Sequence, residues 1–257
     1  YHKSKFQSVY LSKYLGKGLL TSDGDFWLKQ RRLIQPAFHK QKMNQLVDNM
    51  NITICAELDN PREEKPIDLF PIMSNLAFNV VAKSLFQLET AENKFERIKF
   101  IIEEVQHFLI KEIRLPHKAW WFSLSGQVKK HLKLAEENNS IIREIIEERK
   151  ASKGEINDLL NMLLDTRYED TGESMSVEQL IDEIKVLFIA GHETTANALT
   201  FTLHLLGSNP EVQEKVFEEI CQIELQTENV IEQLQKMTYL NAVLNESMRL
   251  YPPAWIT

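Results

Sequence analysis

The chain is poor in residues that break regular structure: eight glycines and eight prolines in 257 residues. Sheet-rich folds need many tight turns, so that scarcity disfavours them. Cysteine is scarcer still. Cys55 and Cys221 make no disulfide framework and have no metal-ligand spacing, which points to a reducing, cytoplasmic compartment. Positive charge is not in excess: a net charge of −7 and a pI near 5.6 argue against a nucleic-acid partner or a cationic membrane surface. No run reaches the ~18 uncharged apolar residues of a membrane span. The longest candidate, 180–205, is interrupted by Asp182, Glu183, Lys185, His192 and Glu193, so no membrane contact is expected of this segment. There is no signal peptide and no initiator methionine; both ends read as cut, and an anchor before Tyr1 stays open.

What the chain does have is helical periodicity over a length, and with a 43% hydrophobic content, that can bury a substantial core. Residues 1–24 are mixed, with Gly16, Gly18 and Gly24 marking loops. Asp25 is expected to cap a helix that ends near Pro36. Further helices are expected over 41–58, 66–88, 91–113, 128–150 and 156–168, with a loop over 116–126 that carries Trp120, Trp121 and Phe122. Ser176 and Gln179 match a capping box that opens a long helix to about Gly207. Pro210 starts the next helix, and the last, 240–250, stops at Pro252-Pro253. The sum is about nine helices and little strand: a mainly α body.

Three motifs carry chemistry. Ala190-Gly191-His192-Glu193-Thr194-Thr195 puts an acid and two alcohols inside the most apolar helix, where a carboxylate costs several kcal/mol unless paired or wetted. Leu187, Ala190, Gly191, Thr194 and Ala198 share one stripe, small enough at 190 and 191 for a flat ligand. The Thr194 hydroxyl can bond back to a carbonyl one turn earlier, loosening the helix, and Glu193 can pass protons inward. Glu246 and Arg249, three apart, can pair on a helix. Trp27 and Arg31, four apart, aim an indole and a guanidinium the same way, a grip suited to a carboxylate. The seven histidines lack paired ligand spacing, and no H-E-x-x-H follows His192, which excludes a zinc protease.

In this order, Trp-x-x-x-Arg, Ala-Gly-x-Glu-Thr-Thr and Glu-x-x-Arg, the chain resembles a cytochrome P-450, a haem-thiolate monooxygenase, over essentially all 257 residues. The resemblance implies one partial domain, 1–257, spanning about the C to K helices, with most of the small sheet missing. It implies haem b (iron protoporphyrin IX), with Trp27 and Arg31 on the propionates and Ala190, Gly191 and Thr194 lining the distal face. Glu193 and Thr194 would deliver protons for dioxygen cleavage, and Glu246 and Arg249 would form a structural pair. Partners implied are a small apolar substrate, dioxygen, and a ferredoxin, flavodoxin or reductase as electron donor, steered by Lys29, Arg32 and Lys40. Substrate walls are expected around 120–124 and Leu187, with Phe86, Phe95 and Phe108 as further contributors. The family's proximal cysteine loop, Phe-x-x-Gly-x-Arg-x-Cys-x-Gly, has no match at Cys55 or Cys221, so the chain by itself is expected not to hold haem properly. Alternatives are a non-catalytic helical fragment or scaffold, and a peroxygenase or isomerase of the same fold.

Overall fold

A computed structural model describes residues 3–38, 40–58, 67–86, 92–152, 158–168, 170–223 and 230–254. Among these it contains twelve α-helices, two short 3-10 turns and one isolated antiparallel bridge, Arg167–Ser174. The chain divides into two compact units: residues 1–39 with 86–189, and residues 40–85 with 190–257.

The first unit holds α1 (Lys5–Leu15), α2 (Gly24–Ile34), α5 (Glu92–Arg114), α6 (Ala119–Leu124), α7 (Gln127–Ala151), α8 (Leu159–Asp165) and the first part of α9 (Val177–Ser208). Helix α5 buries Phe95, Ile98, Ile101, Ile102, Val105, Phe108 and Leu109, an unbroken i, i+3, i+4 stripe. It meets α1, α6 and α7 around Tyr14, Phe108, Phe122 and Ala135. Glu112 continues that stripe as a buried acid. It accepts from the Tyr14 hydroxyl (2.6 Å) and from Lys13 Nζ (2.8 Å). Burial, followed by the Glu112 hydrogen bond, pushes the Tyr14 phenol well above its ordinary value. Between α7 and α8, buried Arg149 and Asp158 pair at 2.6 Å, and Asp158 also caps α8 through the Asn161 N–H (2.9 Å).

The second unit holds α3 (Lys40–Leu58), α4 (Leu69–Phe86), the rest of α9, α10 (Pro210–Cys221), α11 (Val230–Lys236) and α12 (Thr238–Leu250). Helix α12 has no side-chain cap of its own at Met237. Glu219 of α10 does that work, accepting from the Tyr239 N–H (2.9 Å) and the Leu240 N–H (2.8 Å). A buried Thr202–Ser247 hydrogen bond (2.9 Å) and a stacked Phe201–Tyr251 pair (centroids 4.5 Å apart) tie α12 to α9.

Several sequence expectations need correction. The mixed segment 1–24 contains α1, which carries a single basic residue in its last turn and too weak an apolar stripe to stand out. The cap of α2 is Asp23, whose side chain accepts from the Gly24 N–H, while Asp25 sits in the first turn. The expected loop 116–126 is a 3-10 turn followed by α6, too short for a helical period to register. The capping box is half formed: Ser176 Oγ accepts from the Gln179 N–H (3.1 Å), but the Gln179 side chain turns elsewhere. Parts of the expected helices at 66, 87, 88, 91, 156 and 157 fall outside the described residues.

Candidate active site

Helix α9 carries the acid–alcohol motif through a change of environment. Phe188, His192 and Ala196 are buried on one side, whereas Ala190 is exposed and Thr194 and Ala198 are half-buried on the other. The small residues therefore leave one stripe of a deeply packed helix open. Thr194 Oγ1 donates to the Ala190 carbonyl at 2.5 Å, the back-bond expected from sequence. Glu193 is half-buried beside it.

Gly191 owes its lack of a side chain to packing: an added Cβ would lie 2.9 Å from Val81 Cγ2 of α4. From the next residue, the buried His192 Nε2 hydrogen-bonds Ser74 Oγ of α4 at 2.8 Å, and its ring meets the edge of Phe78 with centroids 5.4 Å apart. Sequence reasoning missed this helix-to-helix seat of the motif. Its partners lie more than a hundred residues away in the chain, and neither Ser74 nor Val81 carries a local signal.

On α2, the Arg31 guanidinium sits 5.7 Å from the centre of the half-buried Trp27 ring, so the two share a face as their spacing requires. Among the described residues no carboxylate pairs with Arg31. Of the expected docking cations, Lys29 is taken: it pairs with Asp170 (3.0 Å) and lies 4.4 Å over the Tyr168 ring. Arg32 is exposed, and the Lys40 side chain is outside the described residues. Glu246 and Arg249 make a bidentate pair on α12, both contacts 2.7 Å, with both side chains more than half exposed. The guanidinium beside Glu246 holds its carboxyl below the usual range.

Of the expected substrate walls, Leu187 is half-buried on α9. Trp120, Trp121 and Leu124 face solvent, at 67%, 49% and 74% exposure, while Phe122 is core. Phe95 is buried, and Phe108 is stacked on His131 (4.0 Å) inside the first unit's core. The Phe86 side chain is outside the described residues. Cys55 and Cys221 are both free and exposed, on α3 and at the end of α10.

The chain is a mainly α protein whose longest helix, α9, carries an acid and an alcohol beside a stripe of small residues. Residues 2–257 match the family model for cytochrome P450. The chain is 30% identical over 242 residues to the cyclooctat-9-en-7-ol 5-monooxygenase of Streptomyces melanosporofaciens, covering 94% of this chain and 53% of that protein. It is 29% identical over 267 residues to the 11-oxo-beta-amyrin 30-oxidase of Glycyrrhiza uralensis (95% and 49%), and 30% identical over 266 residues to the echinocystic acid 23-monooxygenase of Saponaria officinalis (95% and 50%). The chain belongs to the cytochrome P450 family. It spans about half the length of the curated relatives it matches.

That family is a haem family, and the residues present fit the group on two counts. Along α9, Ala190 is exposed and Thr194 and Ala198 are half-buried, a surface of small side chains; on α2, Arg31 offers an exposed fork to an anion beside the Trp27 ring. Among the described residues, no helix is long and apolar enough to cross a membrane.

Proposed function

We propose that the whole protein is a haem-dependent monooxygenase that inserts one atom of dioxygen into an apolar organic substrate and releases the other as water. Electrons would come from a ferredoxin, flavodoxin or reductase. The relatives' names, with cyclooctat-9-en-7-ol, 11-oxo-beta-amyrin and echinocystic acid as the compounds acted on, support a bulky, mostly apolar substrate. The 257 residues form part of a single catalytic domain. Two exposed, unbridged cysteines support a reducing and hence cytoplasmic setting.

The observation that carries this reading is the α9 stripe, with a back-bonded Thr194 next to Glu193 in a helix otherwise sealed by Phe188, His192 and Ala196. When bound, haem b would supply the iron at which dioxygen is activated, with the electrons coming from the redox partner. Trp27 and Arg31 would hold its propionates, the guanidinium by charge-assisted hydrogen bonds and the indole by its N–H. Ala190 would keep the open stripe clear for it, while Gly191, packed on Val81 of α4, would act only by letting α9 sit close to α4. Thr194 holds a proton at Oγ1, parked at rest on the Ala190 carbonyl, and turning χ1 re-aims it over the stripe. Glu193, half in solvent, replaces that proton from water. Glu246 and Arg249 act on the structure of α12 and take no part in the chemistry.

Turnover of the full-length protein under isotopically labelled dioxygen tests this. One labelled atom should appear in product and one in water, and the reduced carbon-monoxide complex should absorb where a thiolate-ligated haem does. Turnover driven by peroxide with no label from dioxygen would instead make the protein a peroxygenase.

A further inference from the structure

Just before α2 the chain makes a tight loop over residues 16–22, and two acids of α9 hold it. The Lys17 N–H donates to Asp182 Oδ2 (2.7 Å) and the Leu19 N–H to Glu183 Oε2 (2.9 Å). Gln179 Nε2 bridges the same partners, donating to the Lys17 carbonyl (2.7 Å) and to Glu183 Oε1 (2.8 Å). The glycines are there for this contact. Gly16 has φ +75°, and a Cβ on it would overlap the Asp182 carboxylate; one on Gly18 would lie 2.8 Å from Val186 Cγ2. Inside the loop, Thr21 Oγ1 accepts from the Gly18 N–H (3.0 Å) and donates to the Gly16 carbonyl (2.7 Å), so little backbone freedom is left.

The other side of the loop is held by Lys3. Its Nζ donates to the Leu19 (2.5 Å) and Ser22 (2.8 Å) carbonyls and stands 5.5 Å from the centre of the Trp27 ring. Asp23, the cap of α2, follows immediately. Glu183 is only 1% exposed, and a buried carboxylate is a costly way to hold a loop when an apolar side chain would fill the space more cheaply. Its charge-assisted bond to a backbone N–H fixes position more firmly than a neutral contact would.

We infer that Glu183 is a positioning residue: through the 16–22 loop it sets where α2 begins, and so where Trp27 and Arg31 stand to hold the cofactor. The inference rests on the reading of Trp27 and Arg31 as the propionate grip.

The test is the rate at which the full-length holoenzyme releases haem to a scavenging apo-globin, for Arg31→Ala, Glu183→Ala, the double variant and Glu183→Gln. Arg31→Ala should speed release about tenfold, the size of one lost charged hydrogen bond. Glu183→Ala should speed it several-fold, and the double variant should fall clearly short of the product of the two singles, because Glu183 acts through the grip that Arg31 shares with Trp27. Glu183→Gln keeps an oxygen for the Leu19 N–H but loses the charge and the second acceptor that holds Gln179, so its release should fall between wild type and Glu183→Ala. Wild-type release from Glu183→Ala, or a double variant whose effect is the product of the singles, overturns the inference while leaving the grip intact. No change in Arg31→Ala overturns the grip and the inference together. If Glu183→Ala yields no holoprotein, Lys3→Met removes the loop's other tether from a partly exposed site. It should speed release, again falling short of the product when combined with Arg31→Ala, and wild-type release from it overturns the inference.

Discussion

Thr194 and Gly191 sit three residues apart on α9 and do different work. Thr194 is a hydroxyl with an alternative place to go, because its bond to the Ala190 carbonyl is one that a change of χ1 exchanges for another. Gly191 is a contact surface. Replacing it by alanine gains about 1 kcal/mol of helix propensity but forces a methyl against Val81, a stiff β-branched neighbour, at about 1–3 kcal/mol. Gly191→Ala should therefore lose on the order of 1 kcal/mol in denaturant unfolding. Adding Val81→Ala should remove the clash; a Gly191→Ala protein more stable than wild type would mean that α4 does not press there. Ser74→Ala should cost about 1–2 kcal/mol, since it takes a buried partner from His192. At this scale the sequence was most legible where one helix holds the whole motif: Trp27 with Arg31, Glu246 with Arg249, Thr194 with Ala190. It was least legible where the partner is remote. Asp182 and Glu183 read only as interruptions of an apolar run, because the N–H groups they hold lie 165 and 164 residues away.

Among the elements, the ends matter more than the middles. The start of α12 is capped by a side chain from α10, so Glu219→Ala should speed amide hydrogen exchange at Tyr239 and Leu240 while leaving the centre of α10 protected; unchanged exchange at both amides would show the cap to be idle. The end of α7 is tied to the start of α8 by a pair, Arg149 and Asp158, with 2% and 0% side-chain exposure. Asp158→Ala leaves Arg149 without that partner and strips α8 of its cap, and should cost about 3–5 kcal/mol in unfolding free energy. Long helices with a clear stripe, such as α5, α7 and α9, are readable from periodicity alone. Helices α1, α6 and α11 are not: they are short or weakly amphipathic, and tertiary contact rather than pattern makes them.

For the molecule as a whole, the buried acids set the pH dependence of stability. Burial raises the Glu183 carboxyl above its ordinary 4.5, against the pull of the Leu19 N–H and Gln179, and raises Asp158 above 3.8 despite Arg149. An acid with a raised folded value binds its proton more tightly in the native state than unfolded. Stability is therefore lost as pH climbs from the ordinary value through the raised one. Glu183→Gln should flatten that loss, giving a variant that gains on wild type in urea midpoint as pH rises above the ordinary carboxyl value of 4.5. Parallel profiles for the two proteins would rule out Glu183 as a contributor.

The reading of the site turns most directly on Thr194. In the full-length protein, Thr194→Ala should bind haem and substrate with unchanged spectra yet uncouple the reaction, consuming dioxygen and electrons while releasing reduced oxygen in place of product. Measured as product formed per dioxygen consumed, the ratio should fall severalfold in Thr194→Ala and recover in Thr194→Ser. A ratio equal to wild type in Thr194→Ala, with normal haem content, would contradict the proton-delivering role given to this helix.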